Sequence, residues 1–542
     1  MKNVIYPFIA LLLSITVFAQ PVITSKPKLV VGIVIDQMRY DYIYRYWNKY
    51  SNDGFKKLVD EGFFCKNTNY NYVPTYTAPG HAAIYTGATP ALNGIIGNNW
   101  FDKRTGLYVY CAEDSSVVGV GASGSEGKRS PKNMLVTTIT DELRIASNMK
   151  SKVIGIALKD RGAILPTGHT ANAAYWYDKN SGNFISSTYY MKELPKWVND
   201  FNQQQLPKKY LSQEWNTLLP IDQYIESLPD DNNYETILKG EKKPVFPHNL
   251  PVLMKTNEEL GLLPLTPFGN SFTKNFAIQT IKSEGMGKTE VTDFLAISFS
   301  SPDYIGHAYG PNSIEQEDNF IRLDKDIAEL LSFIEQQVGK NNALIFLTAD
   351  HAAPEVPAYL QDLKIPAGYV NTTKIIDSLK QHLLKMYGDK LVLSFSNQQI
   401  FLDHKMIATQ KLDLKQVQDE VALFLQNIPE ISEAITATTM NNYQFTEGIK
   451  SFMQRGFNTK RSGDVLINYL PGYIEHAPVG TTHGSPYSYD THVPLIFYGW
   501  NIKAGSTAEA VSITDIAPTL SILLNLQFPN ACSGKPILGV TK

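Results

Sequence analysis

The chain has 542 residues, 43% of them hydrophobic and 19% charged, and a formal charge of -3. That apolar content excludes a disordered chain, and a near-neutral balance without a long Lys/Arg block excludes a general nucleic-acid binder. Three cysteines, Cys65, Cys111 and Cys532, are too few for a disulfide scaffold and lack the CxxC spacing of a thiolate metal site.

In chain order, the first signal is Lys2 followed by an apolar run from Ile5 to Phe18, with Val17-Phe18-Ala19 before a cut near Ala19 or Gln20. This pattern predicts a signal peptide over residues 1–20, since the run is short for a membrane span. No later segment is apolar for long enough to cross a membrane. Residues 21–542 are therefore expected to be exported, periplasmic or secreted, and free of the membrane. In that oxidising compartment Cys65 and Cys111 could pair, leaving Cys532 free, but sequence does not give the connectivity.

Next comes Lys28-Leu29-Val30-Val31-Gly32-Ile33-Val34-Ile35-Asp36, a continuous apolar run that ends in an acid. Such a run fits a strand buried on both faces of a parallel sheet. The form recurs at Val153–Leu158 before Lys159-Asp160-Arg161, and at Phe294–Phe299 before Ser300-Ser301-Pro302-Asp303. It recurs again at Leu344–Ala349 before Asp350-His351, and at Pro494–Gly499 after a polar loop. Helical periodicity runs from Ser313, a candidate N-cap, to Val338, with Gly339 as the stop. A further helix is predicted from Pro518 to Leu526. This alternation predicts an α/β fold, a doubly wound and mostly parallel sheet flanked by helices. Residues near 170–290 and 355–480 break the alternation and are read as inserted cap segments.

In an open parallel sheet, ligands bind beyond the carboxyl ends of the strands. Here those ends carry Asp36, Asp303, His307, Asp350 and His351, while His483 sits in the loop before the strand at 494. One such residue is an ordinary turn or cap residue; three Asp and three His at one edge are a constellation. Asp350 and His351 can converge only if their strand ends there, which Ala352-Ala353-Pro354 favours. Asp303-x-x-x-His307 could share a helix face, but Pro302, Gly306 and Gly310 favour a loop. Mixed carboxylate and imidazole donors suit zinc better than magnesium, and six of them suffice for two ions of the kind that clamp phosphoryl transfer. His81, His169 and His492 are read as structural residues or as residues behind the ligands, without a choice between the two.

Residues 73–90 place Pro79 as the first residue of a helix to about residue 86, with Thr77 at or just before its cap. Alone, Thr77 reads as a helix cap. Beside a metal ion its hydroxyl would have a lowered pKa and could act as a nucleophile.

The set Asp36, Thr77-Ala78-Pro79-Gly80-His81, Asp303-x-x-x-His307, Asp350-His351 and His483-Gly484 resembles the alkaline phosphatase superfamily, in the same order and over nearly the whole chain after residue 20. The resemblance implies a doubly wound sheet carrying two Zn2+ per chain. It implies that Asp36, Asp350 and His351 bind the ion beside the nucleophile, and that Asp303, His307 and His483 bind the ion beside the leaving group. It places Thr77 as nucleophile and metal ligand. The finer resemblance is to the secreted, phosphate-irrepressible alkaline phosphatases, which use Thr. In that branch Lys159, Arg161 and Asn98 would contact phosphoryl oxygens together with helix N–H groups; Asn99 beside Asn98 leaves open which amide points inward. The implied activity is hydrolysis of phosphate monoesters (EC 3.1.3.1) through a phosphothreonine, by a monomer acting on small molecules.

The nucleotide pyrophosphatase/phosphodiesterase group shares the Thr and both ions. Lys159 and Arg161 favour the doubly charged monoester over the singly charged diester. A non-catalytic exported metal- or phosphate-binding protein would need no Thr77. A sulfatase would need a Cys or Ser there.

Overall fold

The computed structural model describes residues 26–541, so the signal-peptide expectation lies outside the described residues. The apolar runs become strands of one central sheet. They are β1 (Leu29–Ile35), β2 (Phe63–Asn69), β3 (Val153–Ala157), β4 (Ala173–Asp178), β5 (Asn183–Ser187), β6 (Asp293–Phe299), β7 (Ala343–Thr348) and β8 (His492–Gly499). The order across the sheet is β2-β8-β7-β1-β6-β3-β4-β5, with the short strands Gly505–Thr507 and Gly119–Val120 at its two edges.

β1 lies in the middle and is parallel to β6 on one side and β7 on the other. β6, β3 and β4 continue in parallel. All seven residues of β1, β6 and the apolar run of β7 are buried, as strands covered on both faces must be. Each buried Val, Leu or Ile there contributes about 1.5–3 kcal/mol of transfer free energy.

The sheet is mixed rather than uniformly parallel. β8 runs antiparallel to both β7 and β2, and β5 returns antiparallel to β4. The reversal of β8 places its first residue at the edge where β1, β6 and β7 end. The loop before it, which carries His483, is thereby brought to that edge.

The helices that position the site are α1 (Thr77–Thr86), α2 (Asp160–Thr167), α3 (Phe268–Glu284), α4 (Ser301–Tyr309), α5 (Ile314–Val338) and α6 (Ile516–Leu524). α5 starts where expected: Ser313 Oγ accepts from Gln316 N at 3.1 Å, and Gly339 ends the helix. α4 corrects the loop expected at 303–307. Pro302 sits in the first turn of α4, where its missing N–H costs nothing, and Gly310 is the C-cap. α1 starts two residues earlier than expected, with Tyr76 as N-cap and Pro79 third in the helix. A proline is tolerated there because the first turn's N–H groups have no intrahelical partner.

Residues 170–290 do not all lie outside the sheet: β4 and β5 are part of it. α3 packs beside them, with Phe276 stacked on Phe184 at 3.9 Å. Within 355–480, an antiparallel sheet in the order Val392–Ser396, Gln399–Leu402, Val465–Tyr469, Ile431–Thr436 has its own core of Leu379, Leu383, Ile400, Val417, Val421 and Val465.

Cys65 and Cys111 are not paired; all three cysteines are free. Cys65 lies in β2 opposite Leu495, whereas Cys111 is buried in a separate apolar cluster with Ile95, Ile96 and Trp100. No helix among the described residues is long and apolar enough to cross a membrane.

A strap near residues 228–248 braces α4 through Thr236 N to Ala308 O at 2.9 Å, and the turn after α4 through Leu228 N to Asn312 O at 2.8 Å. It ends on His248, buried between Glu241 at 2.7 Å and Glu315 at 3.1 Å. Burial alone would lower the His248 pKa, but the two carboxylates outweigh it and raise it to about 9. A histidine whose folded pKa is raised contributes stability that is full below its unfolded value, about 6.5, and is lost as pH rises through about 9. Nearby Glu235, pushed up to about 10 by burial and the Glu315 charge, adds a loss of the same sign. His248→Gln is therefore expected to lower the thermal midpoint most at pH 6, with the gap closing towards pH 10. Calorimetry across that range checks this, and a pH-independent gap would contradict it.

Candidate active site

The carboxyl ends of three adjacent strands deliver the acids. Asp36 follows β1 directly, Asp303 lies in the first turn of α4 after β6, and Asp350-His351 follow β7. β7 ends at Thr348, so Asp350 and His351 are released from strand alternation and converge. The donors form two groups, Asp36 with Asp350 and His351, and Asp303 with His307 and His483, each with its ligand atoms within 4.8 Å of one another. His351 and His483 stack with ring centroids 3.4 Å apart, so the groups are adjacent.

The histidines are oriented alike. His307 Nδ1 lies 2.7 Å from Thr481 O, His351 Nδ1 3.1 Å from Ala352 O, and His483 Nδ1 2.7 Å from Thr75 O. A carbonyl only accepts, so each Nδ1 carries a proton and each Nε2 is the ring atom left for a metal ion. Those Nε2 atoms face carboxylates: His307 and His483 lie 3.1 and 3.4 Å from Asp303 Oδ1, and His351 lies 3.5 Å from Asp36 and 3.6 Å from Asp350. Asp36 Oδ1 and Oδ2, Asp350 Oδ2 and His351 Nε2 are buried without a hydrogen-bond partner. Buried polar atoms are costly unless satisfied, and a backbone-anchored imidazole beside unpartnered carboxylate oxygens is a metal-ligand arrangement. The residues fit a divalent cation in each group.

Charge is unevenly shared across these acids. Burial pushes Asp36 up to about 6 against the opposing charge of Lys159. Burial and the charges of Asp36 and Asp303 raise Asp350 further. Burial would also raise Asp303, but His307 and Lys159 outweigh it and hold it well below the usual carboxylate range.

Lys159 is the N-cap residue of α2 and Arg161 lies in its first turn. Lys159 Nζ lies 2.7 Å from Asp36 Oδ2, out of hydrogen-bond alignment, and 2.5 Å from Asp303 Oδ2. It also donates to Thr77 Oγ1 at 3.5 Å. Arg161 makes no ion pair among the described residues; its Nη1 donates to Tyr110 OH at 3.3 Å and its Nε is buried without a partner. Both cations line a cavity of about 290 Å³ walled by Tyr110, Trp176, Tyr177 and Tyr304.

Thr77 is 1% exposed, and its hydroxyl does not cap α1. Instead Asn98 Oδ1 accepts from Ala78 N at 2.9 Å. That settles which amide faces α1: Asn98 is half-buried against it, while Asn99 is exposed. It also limits the expected use of helix N–H groups, because Ala78 is engaged, Pro79 has none, and Gly80 N bonds to Tyr76 O. Gly80 permits close packing here, since a Cβ on it would meet Asp350 O at 2.2 Å.

The remaining histidines separate clearly. His81, one turn along α1, sits between Thr77 O and Ser298 Oγ, both at 2.9 Å, and burial brings its pKa down to about 3, so it is neutral and braces α1. His169 faces Val136 O, and His492 faces Lys66 O and stacks on Tyr40. Sequence reasoning missed Asp490, which accepts from Gly484 N at 3.0 Å and Ser485 N at 2.7 Å and so shapes the His483 loop. A lone acid after a tyrosine-rich turn carries no signal for this. Burial pushes Asp490 up to about 7.

A sheet with two carboxylate–imidazole groups at its strand ends is the arrangement of the alkaline phosphatase superfamily. Within it, the chain matches the family Type I phosphodiesterase / nucleotide pyrophosphatase over residues 30–486, and it belongs to that family. It is 47% identical over 529 residues to alkaline phosphatase PhoV of Synechococcus elongatus, covering 97% of this chain and 95% of that protein. The crystal structure of wild-type alkaline phosphatase PafA is 44% identical and superposes with a TM-score of 0.92, covering 95% of this chain and 99% of that one. PafA comes from Elizabethkingia meningoseptica. A PafA variant with a threonine, an asparagine, a lysine and an arginine replaced superposes at 0.91, with 43% identity and the same coverage.

Proposed function

We propose that the chain is an exported, zinc-dependent alkaline phosphatase that hydrolyses small phosphate monoesters through a phosphothreonine. The observation that carries this reading is one point of convergence. The Lys159 ammonium stands within 3.5 Å of Thr77 Oγ1 and of one carboxylate from each donor group, Asp36 and Asp303. The names of the PhoV and PafA relatives support it, as does the choice of Thr, Asn, Lys and Arg for replacement together in PafA.

Asp36, Asp350 and His351 would hold one ion, and Asp303, His307 and His483 the other. When bound, the ions supply Lewis acidity to the attacking and leaving oxygens. Thr77 Oγ1 attacks phosphorus in line, its proton passing to solvent, which in turn protonates the leaving oxygen. A P–Oγ bond forms, the ester P–O bond breaks, and the leaving oxygen departs with the bonding pair. Water then attacks from the leaving-group side, the P–Oγ bond breaks, and Thr77 is regenerated. Arg161, with no carboxylate partner, presents its guanidinium to two nonbridging oxygens, and Lys159 acts as a point charge. Asn98, its oxygen fixed by Ala78 N–H, keeps its Nδ2 donors for a phosphoryl oxygen. Positioning and electrostatics of this kind supply most of phosphoryl-transfer catalysis.

The family match favours a second reading, a nucleotide phosphodiesterase. Two dications, three aspartates, Lys159 and Arg161 leave a clear positive excess, which suits a terminal phosphate with about two negative charges better than a diester with one. Residues 21–542 form the catalytic domain, with insertions near 170–290 and 355–480, and the enzyme acts as a monomer. The test is kcat/KM of the zinc-loaded enzyme for an aryl phosphate and for its methyl diester. A monoester preference is expected. A diester preference would assign the chain to phosphodiester cleavage, and inertness towards both would leave a binding protein.

A further inference from the structure

Gln37 follows Asp36 at the end of β1 and adopts φ 63°, a left-handed conformation uncommon for a residue with a side chain. It is 2% exposed. Such local cost persists where the surroundings enforce it, and it clusters at functional sites. The turn aims two donors in different directions. The backbone N–H of Gln37 donates to Asp350 Oδ1 at 3.2 Å, and its side-chain Nε2 donates to Asp303 Oδ1 at 2.8 Å. The two acceptors belong to different donor groups.

The first bond leaves Asp350 Oδ2, the unpartnered oxygen, facing His351. The second reaches the Asp303 oxygen that also faces His307 and His483. The amide itself is fixed. Its Oε1 lies against Gly306, where an added Cβ would come within 1.9 Å of it. Gly306 lies between Asp303 and His307 on α4, so the amide is keyed to the helix that carries them. Gln316 Nε2 holds the same helix through Pro302 O at 2.9 Å, and Asn319 Nδ2 supports Gln316 Oε1 at 3.1 Å.

We propose that Gln37 is a positioning residue that couples the two donor groups, so that filling one group orients the carboxylate of the other and two zinc ions bind cooperatively. This rests on the two-metal reading above. Hydrogen bonds that orient metal-bound carboxylates typically account for 10–100-fold in metal affinity, and coupling between two sites is reciprocal.

The test is stepwise zinc binding by full-length protein stripped of metal, against a chelating indicator of known affinity. Wild type is compared with Gln37→Met, which keeps length and the backbone N–H but lacks the side-chain donor. Gln37→Asn is the second variant, since Asn tolerates left-handed φ but is too short to reach Asp303. The expected result is cooperative uptake of two ions in wild type. In both variants cooperativity is lost and the weaker ion binds about 10–100-fold less tightly. The metal-free thermal midpoint stays close to wild type, and kcat recovers at high zinc with unchanged KM. Variant constants within about twofold of wild type would overturn the coupling while leaving the two-metal reading intact. A wild type that takes up fewer than two zinc ions would overturn both. Loss of kcat that excess zinc does not restore, with normal zinc constants, would also overturn the coupling, since Gln37 would then act on catalysis without tuning metal affinity.

Discussion

Thr77→Ala should lower kcat for an aryl phosphate by about 10³-fold or more while leaving zinc content and thermal midpoint almost unchanged. The small structural cost follows from the position. The Thr77 hydroxyl caps nothing, and its one polar neighbour is Lys159 at 3.5 Å. The helix start is secured independently by Asn98, and the middle of α1 by His81. The large catalytic cost follows from chemistry, because alanine leaves no oxygen to form the P–O bond. Rapid quench with radiolabelled substrate should trap phosphoprotein in wild type and none in the variant. Wild-type turnover by Thr77→Ala would remove the nucleophile assignment.

The second large effect concerns charge. Lys159→Ala/Arg161→Ala should lower kcat/KM for the monoester by about 10³-fold, and for the matching diester far less, so that the preference collapses. Electrostatic donors aimed at transferring oxygens are worth about 10²–10³ each, and a dianion draws more on them than a monoanion. The two residues differ in what else they do. Lys159 also neutralises Asp36 and Asp303, so its removal leaves two buried carboxylates, and its variants must be compared fully zinc-loaded. Arg161 has no ion pair to lose, so Arg161→Ala alone isolates substrate binding. Arg161→Lys should restore charge but not two-oxygen contact, recovering only part of the rate. An unaltered monoester to diester ratio in the double variant would make both residues structural.

Much of this arrangement is legible in the residues themselves. Strands buried on both faces must be continuously apolar, so β1, β3, β6 and β7 stand out, and so do the acids just beyond them. Direction is another matter. β8 reads like its neighbours, because periodicity is blind to which way a strand runs, yet its reversal is what brings His483 to the site. The helix at 301–309 is obscured by Pro302 and Gly306. The first is harmless in an opening turn, and the second is small to admit Gln37. Cysteine pairing is not legible in the sequence, because export chemistry permits a disulfide but does not say whether β2 lies beside residue 111. Gln37 and Asp490 carry no motif at all. Gln37's role comes from contacts hundreds of positions away in the chain, 313 residues to Asp350 and 266 to Asp303, whereas Asp490 acts on Gly484 and Ser485 just before it, at a spacing that marks no motif.

The reversed β8 also sets the order in which a growing polypeptide can become competent. Asp36, Asp350 and His351 have all been synthesised by residue 351, so the first donor group exists before the 392–469 sheet is made. The second group waits for His483, and β2, whose long-strand partner is β8, waits for residues 492–499. Until then β2 is an open edge and the strands on either side of β8 are separate pieces. A chain released or cleaved short of residue 483 therefore carries the residues of one complete donor group and two of the three residues of the other. Biosynthesis from the N-terminus makes hydrolytic competence a late event, reached after nearly nine-tenths of the residues have been added.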